Sequence, residues 1–233
     1  MTTLAENWFP TCAVFDCDGV LLDSESRWNQ VQRQVFADYG AHMSPELEKE
    51  LTGSAPSHVA QVLAKLTCPK NLTLAEHQRQ VLDHIVSIED QVVAGGVDPI
   101  PGALEALSKL AKVLPLAVAS NSSQALLTRK LTTYRYAPYL KTWVGADSVA
   151  HPKPAPDIYQ EAIRRLGGDP ARTLTVEDSI LGAQAAQAAG TATLIFGSDP
   201  QQPPKAQGFF DSFKDPDFLA QLDQWIRRAQ TVS

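Results

Sequence analysis

The chain has 233 residues, of which 44% are hydrophobic and 20% are charged. This composition is typical of a globular protein and argues against intrinsic disorder, and the length allows one large domain or one domain with an insertion. A formal net charge of −6 disfavours nonspecific binding to nucleic acid or to an anionic membrane, so we expect neither as a partner.

The three cysteines, Cys12, Cys17 and Cys68, are an odd number without C-x-x-C spacing, so the sequence indicates neither a disulfide framework nor a zinc site. No apolar stretch reaches the roughly 18 residues of a membrane span, and the N-terminus lacks the basic region and apolar core of a signal peptide. We therefore expect a cytoplasmic protein. We also expect a monomer or a weak homodimer.

The first predicted strand, Cys12–Phe15, is apolar and leads directly into Asp16, Asp18 and Gly19. Extended geometry would send the two carboxylates the same way, but Gly19 permits a sharp turn that can re-aim Asp18. Close carboxylates repel unless a cation neutralises them, and oxygen ligands favour Mg2+. The alternative is a strand end that is capped by solvated acids.

Almost a hundred residues separate the first predicted strand from the second, far more than a single crossover helix needs. Residues 25–93 have a helical pattern with breaks at 44–45, 53–56 and 69–73, which predicts about four helices. We therefore predict an α/β catalytic core formed by residues 1–23 and 97–233, and an inserted helical cap domain formed by residues 24–96.

Apolar runs and helical patterns alternate through the rest of the chain, and this alternation predicts a doubly wound, Rossmann-like α/β fold with a parallel sheet covered on both faces. The further predicted strands are residues 114–119, 174–176 and 193–196. The predicted helices are residues 103–112, 124–134, 157–166, 180–189 and a closing helix at 218–229.

We place three further polar clusters at the sheet edge where open α/β sheets bind ligands. Ser120 and Asn121 precede a helix and could face a phosphate, although such residues are also common helix caps. Lys153 lies between prolines that would fix an ammonium group, or it is a surface lysine in a turn. Glu177 and Asp178 follow a strand, where they could bind a cation or only cap a helix.

The ordered set of motifs resembles the haloacid dehalogenase (HAD) superfamily over nearly the whole chain. The motifs are Asp16-x-Asp18-Gly19-Val20, Ser120-Asn121, Lys153-Pro154 and Glu177-Asp178-Ser179. The helical insertion after the first strand is similar to the α-helical cap of the phosphatase and phosphomutase branch. That branch contains phosphoglycolate phosphatase and β-phosphoglucomutase.

The resemblance implies a reaction through an aspartyl phosphate. Asp16 would be the nucleophile that takes the phosphoryl group. Asp18 would be the general acid and base, which protonates the leaving alcohol and then activates water. The 2-haloacid dehalogenases lack the second aspartate, so Asp18 favours phosphate chemistry.

The resemblance also implies a Mg2+ site and a phosphate site. The implied metal ligands are the side chains of Asp16 and Asp178, the backbone carbonyl of Asp18, and Glu177 in the inner or outer shell. The implied phosphate ligands are Ser120, Asn121 and Lys153.

The cap loop at residues 52–58 is predicted to determine substrate specificity, and its candidate specificity residues are Gly53, Ser54 and His58. His58 has a second interpretation, as a solvent-facing residue at a helix start. The loop carries hydroxyl groups and no fixed charge, which suits a small sugar, polyol or glycolate phosphate.

Three other functions stay open at this point. A sugar phosphomutase of the β-phosphoglucomutase type has a His twelve residues after the nucleophile, where this chain has Trp28. A phosphonatase would need a Schiff-base lysine in the cap, and no cap lysine lies in a recognisable motif. A noncatalytic phospholigand-binding module could use the same fold, but the intact Asp16 and Asp18 argue against it.

Overall fold

A computed structural model describes residues 8–94, 96–197 and 205–232. These residues divide into two compact units. One unit lies within Met1–Asp23 and Pro99–Ser233, and the other lies within Ser24–Asp98. None of the helices in the described ranges is both long enough and apolar enough to cross a membrane.

The first unit contains a parallel sheet of six strands in the order β5-β4-β1-β6-β7-β8. In chain order the strands are β1 (Cys12–Phe15), β2 (Leu22–Asp23), β3 (Asp98–Pro99), β4 (Leu116–Ala119), β5 (Thr142–Val144), β6 (Thr173–Glu177), β7 (Ala192–Phe196) and β8 (Gly208–Phe210). Strands β2 and β3 pair in a separate sheet of two strands. When only the six strands of the large sheet are counted in chain order, they lie side by side in the order third, second, first, fourth, fifth, sixth. This is the doubly wound order, and the predicted Rossmann-like fold class is confirmed.

Strand β1 lies at the centre of the sheet, between β4 and β6. Phe15 is level with Val118 on one side and with Val176 on the other. All four residues of β1 are buried, as expected for a parallel strand that is covered on both faces. The segment that follows β1 therefore leaves the sheet at its middle, beside the end of β6.

Helices flank the sheet. They are α5 (Ala103–Leu110), α6 (Gln124–Thr133), α7 (Asp157–Leu166), α8 (Ile180–Ala188) and α9 (Pro216–Val232). Buried residues of α7, such as Ile158 and Ala162, belong to one core cluster with Val14 of β1 and Ala117 of β4. Helix α7 ends at Gly167, whose positive φ of 66° suits glycine at a helix C-terminus.

The second unit consists of the helices α1 (Glu25–Asp38), α2 (Pro45–Leu51), α3 (Pro56–Thr67) and α4 (Leu74–Ala94). Its core includes Phe36, Leu51 and Leu63, which are fully buried. A capping box starts α4, because Thr73 Oγ1 accepts from the Glu76 N–H at 3.2 Å and Glu76 Oε2 accepts from the Thr73 N–H at 2.9 Å.

The structure differs from the predicted elements mainly at the edges of the sheet. The two outer strands, β5 and β8, were not predicted, because each has only three residues and lacks a long apolar run. Strand β4 begins at Leu116 and not at residue 114, since Pro115 has no N–H for a ladder hydrogen bond. Most of the predicted loop at 199–208 lies outside the described residues, and its last residue, Gly208, begins β8.

The Tyr136 side chain, just after α6, ties this part of the chain to the turn after β1. It is fully buried, and its hydroxyl donates to the Leu21 carbonyl oxygen at 2.8 Å. We expect Tyr136→Phe to lower the free energy of unfolding by about 0.5–1.5 kcal/mol, because it removes one hydrogen bond to the Leu21 carbonyl oxygen, which still accepts from the Ile100 N–H at 2.9 Å. Urea denaturation followed by circular dichroism measures this change.

Tyr139→Phe is the matched control, because Tyr139 is half-buried and its hydroxyl makes no hydrogen bond to another described residue. We expect this control to leave the midpoint of the urea transition almost unchanged. Equal effects of the two substitutions would contradict a specific stabilising role for the hydrogen bond between Tyr136 and Leu21.

Candidate active site

The strand order places the acidic residues of two distant segments side by side. The order reverses between β1 and β6, and in open α/β sheets this is where ligands bind, beyond the carboxyl ends of the strands. The Asp16 N–H donates to the Val176 carbonyl oxygen at 2.9 Å, so Asp16 extends β1 by one step. Glu177 is the last residue of β6, and Asp178 follows it.

Lys153 joins Asp16 to Glu177. Its Nζ atom lies 2.7 Å from Asp16 Oδ1 and 2.5 Å from Glu177 Oε1. Both the lysine and the glutamate are almost completely buried. Burial opposes the charge on Lys153 most strongly, but the nearby Asp16 and Glu177 carboxylates hold its pKa above the ordinary value. The ammonium group is therefore retained inside the protein, beside Asp16.

Tyr159 supports this arrangement from α7. Its hydroxyl donates to Glu177 Oε1, and its ring centroid lies 5.0 Å from Lys153 Nζ. Burial first, and the charge of Glu177 second, raise the pKa of Tyr159 well above its ordinary value, so the hydroxyl remains a donor. Tyr159 thus holds the Glu177 carboxylate with its hydroxyl, and the face of its ring lies against the Lys153 ammonium group.

Asn121 holds the backbone of Lys153. Its Oδ1 atom accepts from the Lys153 N–H at 3.0 Å, and its Nδ2 atom donates to the Lys153 carbonyl oxygen at 3.3 Å. The two polar atoms of the amide are thus both directed at the lysine backbone. In this structure Asn121 contributes to the site by positioning Lys153, and a contact of Asn121 with phosphate stays a prediction.

Asp16, Glu177 and Asp178 have the chemistry of a divalent-cation site. One carboxylate oxygen of each lies within 4.8 Å of the others. Burial raises the pKa of Asp16 to about 7; Lys153 opposes this shift, whereas the charges of Glu177 and Asp18 add to it. A divalent cation would relieve this concentration of negative charge, and the all-oxygen donor set suits Mg2+. The residues that are present therefore fit the metal that the resemblance implies.

Two glycines make room for these acids. A Cβ atom at Gly19 would lie 1.8 Å from Asp178 Oδ2, and Gly19 also has a φ of 84°. A Cβ atom at Gly182 would lie 1.9 Å from Glu177 Oε1. Any larger residue at either position would displace a carboxylate, so both glycines are required for close packing and not only for backbone flexibility.

Asp18 is directed at a different set of partners from Asp16. Its Oδ2 atom accepts from the hydroxyls of Ser120 at 2.9 Å and Ser122 at 3.1 Å, and its Oδ1 atom lies 2.7 Å from Lys130 Nζ. The turn at Gly19 therefore coincides with a separation of the two aspartates, as the sequence analysis anticipated. The Ser120 hydroxyl, a predicted phosphate ligand, donates to Asp18 here.

The predicted specificity residues lie in the helical unit. Gly53 has a φ of 73°, and the backbone N–H of the buried Ser54 donates to the Leu51 carbonyl oxygen at 3.0 Å. His58 is exposed in the first turn of α3, in agreement with its interpretation as a solvent-facing residue. A role for these three residues in substrate choice stays a prediction.

Three contributors to the site were not predicted from the sequence: Lys130, Ser122 as a partner of Asp18, and Tyr159. Each lies in or beside a helix that starts after a site loop. Lys130 falls on the buried face of α6 with Leu126, Leu127 and Leu131, so helical periodicity could have marked it as a buried charge. Tyr159 falls on the buried face of α7, where an aromatic residue is normally read as core.

Comparison with known proteins gives a consistent result. A family model described as haloacid dehalogenase-like hydrolase matches residues 13–196. The chain is similar to the bifunctional riboflavin kinase/FMN phosphatase of Arabidopsis thaliana, with 29% identity over 197 residues. The match covers 82% of this chain and 50% of that protein, so the chain spans half the length of this relative.

Two further similarities extend over most of both chains. Fructose-1-phosphate phosphatase YqaB of Escherichia coli (strain K12) is 29% identical over 182 residues, and the match covers 76% of this chain and 91% of that protein. The crystal structure of CbbY from Rhodobacter sphaeroides in complex with phosphate has 26% sequence identity and a TM-score of 0.73, and the match covers 92% of this chain and 99% of that chain.

The family match extends from β1 into β7 and includes all four motifs on which the resemblance was based. That resemblance is therefore confirmed. The chain belongs to the haloacid dehalogenase-like hydrolase family and is an enzyme of that family.

Proposed function

We propose that this enzyme is a Mg2+-dependent phosphomonoesterase that acts on a small phosphorylated metabolite through an aspartyl-phosphate intermediate. The observation that carries the proposal is the environment of Asp16: a buried carboxylate at the switch point of the sheet, 2.7 Å from the Lys153 ammonium group and next to two further acids. This arrangement supplies a nucleophile and positive charge for a phosphoryl group. It also supplies a set of ligands for a cation.

In the first half of the reaction, a carboxylate oxygen of Asp16 forms a bond to phosphorus while the bond from phosphorus to the leaving oxygen breaks. The leaving oxygen takes the electron pair of that bond and a proton from Asp18. In the second half, a water oxygen attacks phosphorus and gives a proton to Asp18. The bond from phosphorus to Asp16 then breaks, which restores the carboxylate.

Lys153 and the loop after β4 would hold the transferring phosphoryl oxygens. The ammonium group of Lys153 is fixed in place by Asp16, Glu177 and Tyr159, and such preorganised charge stabilises charge that develops in a transition state. Ser120 would donate its hydroxyl to a phosphoryl oxygen when substrate is bound. Asn121 would assist mainly through its two hydrogen bonds to the Lys153 backbone.

Mg2+ would be held by the Asp16 and Asp178 side chains and by the Asp18 backbone carbonyl. When bound, Mg2+ would neutralise negative charge between the nucleophile and the phosphoryl group. Glu177 is already engaged by Lys153, Tyr159 and Ser179, whose hydroxyl donates to Oε2 at 3.1 Å. We therefore place Glu177 mainly in the outer shell, where it orients its neighbours.

The proposed substrates are small sugar, polyol or glycolate phosphates, and Gly53, Ser54 and His58 are the proposed specificity residues. The name of the E. coli relative, a fructose-1-phosphate phosphatase, supports a sugar phosphate. The position of Trp28, where β-phosphoglucomutase has His, favours hydrolysis over a mutase reaction. A cytoplasmic location is part of the proposal, because all three cysteines are free thiols and a reducing compartment preserves them.

Release of inorganic phosphate from a panel of phosphorylated metabolites tests the proposal directly. We expect release from at least one sugar or polyol phosphate with Mg2+, and loss of nearly all activity with excess EDTA. Activity should return when Mg2+ is restored in excess, which controls for irreversible damage. Conversion of one sugar phosphate isomer to another with little free phosphate would instead identify a mutase. No metal-dependent reaction with any member of the panel, or with p-nitrophenyl phosphate, would contradict the enzymatic proposal.

We expect Asp16→Asn to lower kcat by at least about 10³-fold, because the amide cannot act as the nucleophile. Steady-state kinetics with p-nitrophenyl phosphate measures this loss. Asp211→Asn is the matched control, since Asp211 is exposed in the segment after β8, and it should retain full activity. Turnover by the Asp16 variant at the rate of the unaltered enzyme would rule out Asp16 as the nucleophile.

We expect Gly182→Ala to lower kcat by about tenfold or more, although alanine is the better helix former by about 1 kcal/mol. The added Cβ atom would displace the Glu177 carboxylate and therefore disturb Lys153. Gln184→Ala, at an exposed position of the same helix, is the control and should leave kcat unchanged. A Gly182 variant that is more stable and fully active would show that Glu177 need not occupy its observed position.

A further inference from the structure

Lys130 is a buried charged residue that the reaction described above does not use. It lies in α6 on the same face as Leu126, Leu127 and Leu131, and all four residues are buried. Only 4% of its side chain is exposed. Because removal of an ammonium group from water costs several kcal/mol, such a residue needs a nearby negative partner.

The partner of Lys130 is Asp18. Lys130 Nζ lies 2.7 Å from Asp18 Oδ1 and 2.9 Å from Ser122 Oγ. The Ser122 hydroxyl in turn donates to Asp18 Oδ2 at 3.1 Å, and the Ser120 hydroxyl donates to the same oxygen at 2.9 Å. Both carboxylate oxygens of Asp18 are therefore held by groups of α6 and of the loop between β4 and α6.

The two aspartates thus have separate ammonium partners. Asp16 is paired with Lys153, and its side chain is 9% exposed, whereas Asp18 is paired with Lys130 and is 32% exposed. The greater exposure of Asp18 leaves part of its side chain accessible while Lys130 and the serine hydroxyls hold its carboxylate oxygens in place. This is the arrangement required of a group that must meet the leaving oxygen of a substrate from a defined position.

We propose that Lys130 is a positioning residue for proton transfer, which holds the Asp18 carboxyl group at the place from which it serves the leaving oxygen. The inference rests on the proposed function of Asp18 as general acid and base. Lys130 itself touches neither the substrate nor the phosphoryl group in this proposal. Its effect on the reaction therefore passes entirely through Asp18.

The test compares two substrates that differ in their need for a proton at the leaving oxygen. The oxygen that leaves from phenyl phosphate is more basic than the oxygen that leaves from p-nitrophenyl phosphate. We expect Lys130→Met to lower kcat/KM for phenyl phosphate by about tenfold, a part of the factor that general acid catalysis supplies, and for p-nitrophenyl phosphate by less than about threefold. A loss of stability alone would reduce both values by the same factor.

Two further variants complete the experiment. Lys109→Met removes an exposed lysine from the last turn of α5 and should change neither value. In an enzyme that already carries Asp18→Asn, Lys130→Met should not lower kcat/KM for phenyl phosphate any further. A residue that acts only through the Asp18 carboxylate has no effect when that carboxylate is absent. If Lys130→Met does not fold by circular dichroism, Lys130→Gln takes its place in the same comparison.

The outcomes separate this inference from the proposed function. An Asp18→Asn variant with undiminished kcat/KM for both substrates would overturn the proposed role of Asp18. If Asp18→Asn is impaired, the inference about Lys130 is overturned by equal losses on both substrates, by no loss at all, or by a full additional loss in the double variant. Failure of both Lys130 variants to fold would also overturn the inference, because Lys130 would then be required for the stability of the fold and not specifically for the position of Asp18.

Discussion

The buried ammonium group of Lys153 is the constraint around which the site is organised. It cannot be separated from water without negative charge beside it, and Asp16 and Glu177 supply that charge from the ends of two adjacent parallel strands. The strand order makes this possible, because β1 and β6 are neighbours although some 160 residues separate them along the chain. The fold thus brings together three charged groups, none of which could be buried alone.

The same principle applies a second time at Asp18. Asp16 and Asp18 are only two residues apart, but each forms an ion pair with a different lysine from a different segment of the chain. As a result the two carboxylates are not equivalent: one lies deep beside further acids, and the other is accessible and held by hydroxyl groups. A general acid and a nucleophile need such different surroundings if both are to act in one reaction.

Much of this organisation follows from local sequence patterns. Apolar runs followed by Asp16, Ser120 and Glu177 indicate a parallel sheet with polar groups at one edge, because strand identity and helix alternation are both encoded locally. The partners of those polar groups are not encoded in the local sequence. Lys130 and Tyr159 lie on helix faces otherwise filled with apolar residues, and only the packing of α6 and α7 reveals which polar groups they meet. The edge strands β5 and β8 were missed for a related reason, since three residues carry too little periodicity to indicate a strand.

The paired hydrogen bonds between Asn121 and Lys153 have a consequence for protein engineering. The side-chain amide meets both backbone groups of one residue, much as neighbouring strands pair in a sheet, so two hydrogen bonds join the loop after β4 to the loop that contains Lys153. Transplanting either loop alone from a homologous enzyme would break this joint and shift the lysine. Chimeric enzymes built on this scaffold should therefore exchange the two loops together.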